Sequence, residues 1–213
     1  DELEVVEIIQ DGEVVHRVYP KTKIDLDTAV AEPFQIRLEW GWGPWGDLAL
    51  DRIADWAFDL SISNGKILNV VPCLQSGPFD EDRRHRFDLK SDTELDIVSY
   101  SARHGGYRQN PNQSVVLELE GSAATELNLQ MIRPTHASSC STIAELHQSS
   151  SSLFTGPFPQ ESYQWHRIVP LPSSRASGKT KIKIPDNQSN VYLRVKQQNG
   201  HIAWASPVFI NYS

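Results

Sequence analysis

Alternation of apolar and polar residues in short runs, each ended by turn residues, constrains the fold of this chain most strongly. In the clearest run Trp56, Phe58, Leu60 and Ile62 alternate with Ala, Asp and Ser residues. Because successive side chains of a strand point to opposite faces, a period of two indicates half-buried β-strands. Comparable runs occupy residues 34–40, 95–98, 115–119, 127–131 and 191–196. The sequence therefore predicts an all-β fold, an antiparallel two-sheet β-sandwich or two fused small sandwiches, with at most one short helix.

Three pairs of turn residues predict hairpins. Asp11-Gly12 divides two β-branched runs and predicts a hairpin over residues 4–19, since a type I′ turn needs positive φ at both central positions. Asn64-Gly65 predicts a second hairpin, onto residues 66–71, and Asn199-Gly200 predicts a third. The one short helix is predicted at residues 47–54.

The serine-rich stretch at residues 135–152 is the place where composition predicts a sub-boundary. The segment beyond it contains only a few short strands, which bury too little surface to fold alone. The sequence therefore predicts a single β-sandwich unit over residues 1–213, in which N-terminal and C-terminal strands pair. Ile202 and Trp204 are expected to join Val191, Leu193 and Val195 in one apolar face that a sheet covers.

The charge balance argues against two classes of partner. The formal net charge is −7, whereas binding to duplex nucleic acid or an anionic membrane begins with clustered Lys and Arg. No apolar run approaches the roughly 18 residues that a membrane-spanning helix needs. Neither nucleic-acid binding nor membrane insertion is expected. Lys179, Lys181 and Lys183 form the one local basic cluster, interpreted as one face of a solvated, edge-protecting strand.

Metal and nucleophile signals are weak. Cys73 and Cys140 are too few and too far apart for a zinc site, and the sequence leaves open one disulfide or two free thiols. Asp80, Asp82 and His85 lie in a charged loop that could hold calcium, but the EF-hand spacing is missing and adjacent arginines compete for the carboxylates. A solvated, self-paired loop is the preferred interpretation, and no cofactor is predicted.

The aromatic residues supply the one positive functional signal. Trp42 and Trp45, with Tyr163 and Trp165, are candidates for a platform on which sugar rings stack. The alternative is that these rings plug the end of the core. The stretch from Gly41 to Gly46 also satisfies G-x-G-x-x-G, but Trp and Pro crowd the turn and no βαβ unit follows, so dinucleotide binding is not expected.

Several strand-and-turn patterns resemble a known family. They are residues 6–15, 192–195 and 200–208, the WGWG sequence at 40–43, and residues 56–71. Together, over about a third of the chain, they resemble β-rich C-terminal portions that follow the metal-dependent hydrolase barrel in some secreted bacterial proteins of the polymerase-and-histidinol-phosphatase superfamily. The resemblance implies an accessory domain beside an upstream metallohydrolase domain of the same polypeptide. It supplies no catalytic residue.

We therefore expect a non-catalytic accessory or binding module of a larger exported bacterial protein, secreted or periplasmic. The first alternative is a carbohydrate-binding β-sandwich that holds a glycan through the Trp42 and Trp45 surface. The second is an unrecognised hydrolase with a site built around Asp80, Asp82 and His85.

Overall fold

The computed structural model describes residues 2–20, 32–42, 53–74, 82–102, 112–155, 161–170, 176–184 and 188–211. In chain order these ranges contain β1 (Leu3–Gln10), β2 (Glu13–Val18), β3 (Glu32–Trp42), β4 (Ile53–Leu74), β5 (Arg86–Ser91), β6 (Glu94–Ala102), β7 (Gln113–Arg133), β8 (Ala137–Thr142), α1 (Ile143–Gln148), β9 (Ser151–Phe154), β10 (Glu161–Trp165), β11 (Val169–Pro170), β12 (Gln188–Gln197), β13 (Ile202–Trp204) and β14 (Val208–Asn211). The prediction of an all-β fold with two antiparallel sheets and one short helix is confirmed. No helix in these ranges is long and apolar enough to cross a bilayer.

The chain divides into two compact units. Unit 1 comprises Asp1–Lys23 and Val169–Ser213, and unit 2 comprises Ile24–Ile168. The serine-rich stretch at residues 135–152 lies inside unit 2, where it forms β8, α1 and the start of β9. Thr142 begins α1 with a capping box, in which its hydroxyl accepts the Glu145 N–H and its own N–H is bound by the Glu145 carboxylate.

The helix predicted at residues 47–54 falls almost entirely outside the described ranges. Only its last two residues, Ile53 and Ala54, are described, and they begin β4.

Two long strands, β4 and β7, belong to both layers of unit 2. Residues 53–63 of β4 pair with β6 and with residues 126–133 of β7, which β8 extends. Residues 65–74 of β4 pair with residues 113–121 of β7, which β3, β10 and β9 extend. The larger sheet, ordered β5-β6-β4-β7-β3-β10-β9, thus folds over itself into a β-sandwich.

The core of unit 2 fills the space between these two layers. The Trp40 and Tyr163 rings of one layer meet the Phe58 ring of the other edge-on, at centroid distances of 5.6 and 5.9 Å. Two of the buried indoles on these strands have an acceptor for their N–H. Trp40 Nε1 donates to the Ser99 hydroxyl at 3.1 Å, and Trp56 Nε1 donates to the Ser101 hydroxyl at 2.7 Å.

The second predicted hairpin, at Asn64-Gly65, is wrong. Strand β4 continues through both residues, and Asn64, with φ of 57°, lies where β4 and β7 bend together. The Thr125 hydroxyl donates to the Asn64 carbonyl at 2.6 Å and accepts the Ser122 N–H at 2.9 Å. A Cβ at Gly65 would lie 2.9 Å from the Glu120 carbonyl oxygen. The left-handed residue therefore marks a bulge that redirects two strands, not a turn that ends one.

Unit 1 contains a five-stranded sheet in the order β13-β12-β1-β2, with β14 also paired to β12. The hairpin at Asp11-Gly12 is confirmed, with φ of 51° and 92° at the two turn residues. The Asn190 N–H and the Ser189 hydroxyl both donate to the Asp11 carboxylate, and these bonds lower its pKa. The hairpin at Asn199-Gly200, between β12 and β13, is confirmed as well.

The strand predicted around the three lysines at residues 179–183 is wrong, because residues 176–184 adopt no regular secondary structure. The Lys183 carbonyl instead accepts a hydrogen bond from the Gln10 side-chain amide at 2.7 Å. A Cβ at Gly178 would lie 3.1 Å from Val18. This segment therefore lies against β1 and β2 through side chains, without a strand partner.

Candidate functional site

The structure separates the four predicted aromatic site residues. Tyr163 and Trp165 lie in the core of unit 2, 2% and 1% exposed, and the Tyr163 hydroxyl donates to the Ser139 hydroxyl at 2.8 Å. Neither ring offers a face on which a sugar could stack. Trp42 ends β3, and Trp45 lies outside the described residues.

The predicted charged loop is only partly described. Asp80 lies outside the described residues, Asp82 is exposed, and His85 is half-buried with its Nδ1 atom 2.9 Å from the Ser99 hydroxyl. Burial lowers the pKa of His85. In the part of the chain that the structure describes, no three His, Cys, Asp or Glu side chains are close enough to hold a metal ion.

A partly buried polar cluster occupies the outer face of β3 in unit 2. The Glu39 carboxylate accepts hydrogen bonds from His166 Nε2 at 2.7 Å and from the Asn112 amide at 2.8 Å, and lies 3.4 Å from the Arg37 guanidinium. Burial alone would raise the pKa of Glu39, but the bond from His166, the charge of Arg37 and the bond from Asn112 lower it to about 2.

The contacts within this Glu39 cluster favour a structural role over proton transfer. His166 Nε2 donates to Glu39, and His166 Nδ1 lies 3.2 Å from Arg37 Nη2, which can only donate. The same Arg37 Nη2 atom also lies 3.0 Å from His166 Nε2, so the imidazole is held between the carboxylate of Glu39 and the guanidinium of Arg37. A Cβ at Gly41 would collide with the Asn112 side chain, so the close approach of these two residues requires glycine at this position.

Neither cysteine takes part in a disulfide. Cys73 on β4 is half-buried and Cys140 on β8 is exposed, and both are free thiols. Burial raises the pKa of Cys73, which makes its thiolate scarcer near neutral pH and its sulfur a weaker nucleophile.

The second charged cluster lies in unit 1, on one face of the five-stranded sheet. Glu7 of β1 is in register with Arg17 of β2 and Arg194 of β12, and Arg194 is in register with Trp204 of β13. Directly paired residues of antiparallel strands share a face. Arg17, Glu7, Arg194 and Trp204 therefore form one row across four strands, named here the Glu7 row.

The carboxylate of the Glu7 row is held by cations on both sides. Glu7 accepts from Arg17 Nε at 3.1 Å and from Arg194 Nε at 2.7 Å, and Lys196 Nζ lies 3.5 Å away. Burial opposes ionisation of this side chain, which is 2% exposed. The bond from Arg194, the charge of Lys196 and the bond from Arg17 outweigh it and lower the pKa of Glu7.

Trp204 lies at the β13 end of the Glu7 row. Its side chain is 60% exposed, whereas Trp40, Trp56 and Trp165 are fully buried. The expectation that Trp204 joins Val191, Leu193 and Val195 in one covered face is wrong. Trp204 is in register with Arg194, so it shares a face with the cations, and Leu193 and Val195 point to the opposite face.

The sequence contained one signal that could have located this surface. When the register of the hairpin is counted outward from the turn at Asn199-Gly200, Trp204 lies opposite Arg194. The pairing of Arg194 with Glu7 involves residues 187 positions apart, and no local pattern shows such a contact.

Comparisons with known proteins identified no relative of this chain. The chain matches no protein-family model, no curated protein and no solved structure.

Proposed function

We propose that this chain is a non-catalytic carbohydrate-binding module, and that the Glu7 row of unit 1 is its binding surface. The exposed indole of Trp204, in register with a hydrogen-bonding guanidinium, is the observation that carries the proposal. A Trp ring on a sheet surface presents a flat apolar face, which complements the C–H face of a sugar ring.

The surroundings of Trp204 support a sugar ligand. A sugar that stacks on an indole still presents hydroxyl groups at its rim, and these need donors and acceptors nearby. Arg194 supplies donors one strand away, and its Nε bond to the buried Glu7 fixes the direction of its guanidinium. A guanidinium held in advance loses less conformational entropy when a ligand binds. The row therefore combines an apolar platform with oriented polar groups.

A glycan array with the intact chain tests the proposal. We expect binding to at least one class of glycan, and we expect Trp204→Ala to abolish it because the stacking face is lost. Phe154→Ala is the matched control, since Phe154 is 62% exposed but lies on β9 of unit 2. Its removal should leave binding unchanged. Absence of binding to every glycan, or binding that survives Trp204→Ala, contradicts the proposal.

The same array tests the surface expected from the sequence. Trp42→Ala and Trp45→Ala should leave binding unchanged if the Glu7 row is the site. Loss of binding in those two variants, with Trp204→Ala unaffected, would move the site to residues 42–45.

We also propose that the module belongs to a larger exported bacterial protein and accompanies an upstream metallohydrolase domain. The strand-and-turn resemblance given above supports this context. The natural open reading frame tests it, because a barrel with clustered His and Asp ligands should be encoded ahead of these residues. A reading frame that encodes no such domain would contradict the proposal.

A further inference from the structure

We infer that the glycan bound by the Glu7 row is acidic, and that its carboxylates bind Arg17, Arg194 and Lys196. This inference rests on the proposed function, since it names the class of glycan that the same surface would take.

The charges of the row do not balance. Three cations surround Glu7, and each of them contacts that single carboxylate. The two flanking rows on this face are Val5, Lys196 and Ile202 on one side, and Val14, Ile9 and Tyr192 on the other. Neither adds a carboxylate. Among the residues of this face that the structure describes, the Glu7 row and its two flanking rows thus hold three cations and one carboxylate, in a chain whose net charge is −7. This local excess of positive charge complements an anionic ligand.

The arginines keep their terminal nitrogens available. Both contact Glu7 through Nε, and their Nη atoms have no partner among the residues that the structure describes. The Arg17 side chain is 52% exposed and the Arg194 side chain 28% exposed. Paired Nη–H groups form the fork that binds a carboxylate through two parallel hydrogen bonds. A planar carboxylate therefore fits these groups.

The spacing of the row suits a sugar that carries its own acid group. Neighbouring strands lie about 4.8 Å apart, so Trp204 and Arg194 are separated by roughly one strand spacing. A carboxylate on the sugar that stacks on Trp204 would reach Arg194. Arg17 lies about 14 Å from Trp204, three spacings away, within reach of a later unit of the same polymer. The ligand is therefore expected to be a polymer of uronic acid type that runs across the strands.

The test compares two forms of one polymer with the unmodified chain. Polygalacturonate and its fully methyl-esterified form share a backbone but differ in charge. We expect isothermal titration calorimetry to give at least about tenfold tighter binding of polygalacturonate in low salt, and a smaller difference at high salt because the cations are exposed. Comparison of dextran sulfate with dextran tests whether sulfate groups can replace carboxylates as the bound anion. Dextran sulfate should bind more weakly than polygalacturonate.

Variants connect the preference to the row. Arg194→Gln should reduce the preference for polygalacturonate to within about threefold while weaker binding of the methyl ester persists. Trp204→Ala should remove binding of both forms. Lys90→Gln is the control, because it removes an exposed cation, 53% exposed and paired with one carboxylate, from unit 2. It should change neither affinity. If Arg194→Gln does not fold, the comparison of the two polymers with the unmodified chain still decides the question.

Each contrary result has its own meaning. Equal binding of polygalacturonate and its methyl ester, with loss of both in Trp204→Ala, overturns the acidic assignment and leaves the binding module intact. Binding of dextran sulfate as tight as that of polygalacturonate overturns the carboxylate assignment. No binding to any polymer here or on the glycan array overturns the proposed function itself.

Discussion

Each unit of this chain holds a carboxylate whose pKa is lowered by neighbouring groups against the effect of burial, yet the two clusters use their cations differently. In unit 2, Glu39 is met by Arg37, His166 and Asn112, and Arg37 is itself buried. In unit 1, Glu7 is met by Arg17, Arg194 and Lys196, all of which reach water. The Glu39 carboxylate balances the charge of a cation that is itself buried. The Glu7 carboxylate lies beneath exposed cations and fixes their orientation.

The difference shows that a depressed carboxylate pKa does not identify a functional site by itself. The pKa values of Glu39 and Glu7 are both lowered, against burial, by hydrogen bonds and nearby positive charge. The two clusters differ in the positive charge that the carboxylate leaves unbalanced and in the arginine nitrogens that are still available to a ligand. Four measurements test this comparison, beginning with the largest expected effect.

Glu39→Gln should be the most destabilising of these changes, at about 3–5 kcal/mol, because it removes the carboxylate charge 3.4 Å from the buried guanidinium of Arg37. Urea unfolding followed by circular dichroism measures the loss. Glu94→Gln, at an exposed position of β6, is the control and should have little effect. A loss for Glu39→Gln no larger than that of the control would show that the cluster is not tightly closed.

Acid should remove the same stabilisation progressively. The folded-state pKa of Glu39 is about 2, below its ordinary value of 4.5. Its contribution is therefore complete above pH 4.5 and is lost as the pH falls toward 2. A shift of this size corresponds to about 3 kcal/mol. The difference in unfolding free energy between the unmodified chain and Glu39→Gln should shrink over that window. A constant difference from pH 6 to pH 2 would contradict the assignment.

Glu7→Gln should cost less, about 1–2 kcal/mol, because the freed cations can turn toward water. The same urea experiment measures it. The sharper expectation concerns order: Glu39→Gln must destabilise more than Glu7→Gln. The reverse order would mean that the Glu7 row is a structural cluster and not a surface poised for a ligand.

Trp204→Ala should have the smallest effect on stability, within about 0.5 kcal/mol, because the side chain is mostly exposed. Thermal unfolding measures it. This variant is therefore a clean probe of binding, unlike truncation of Trp56, whose ring is fully buried and hydrogen-bonded. A large loss of stability in Trp204→Ala would show that its ring packs against the protein.

Much of the fold could be predicted from the sequence because the period of a strand is a local property. The run from Trp56 to Ile62 and the turn at Asp11-Gly12 each form as their own residues indicate. The turn at Asn64-Gly65 fails for a long-range reason. The hydroxyl that supports the bend belongs to Thr125, 61 residues away. With this support, the positive φ of Asn64 forms a bulge and not a hairpin turn.

The candidate site was harder to predict for the same reason. Burial of Tyr163 and Trp165 depends on strands that pair across more than a hundred residues, as β10 does with β3. The exposure of Trp204 follows from a register that places it beside Arg194 and not beside Leu193. A sequence shows which residues alternate, whereas the neighbours of each face are set by pairings between distant segments.

The bend shared by β4 and β7 has a consequence for how unit 2 opens. The same two strands carry the central pairing of both layers, so opening of either layer separates part of one β4–β7 pair. Backbone amides of Leu117 and Leu129, which lie on β7 in different layers and each between two paired strands, should therefore exchange their hydrogens with deuterium at similar rates when exchange requires global opening.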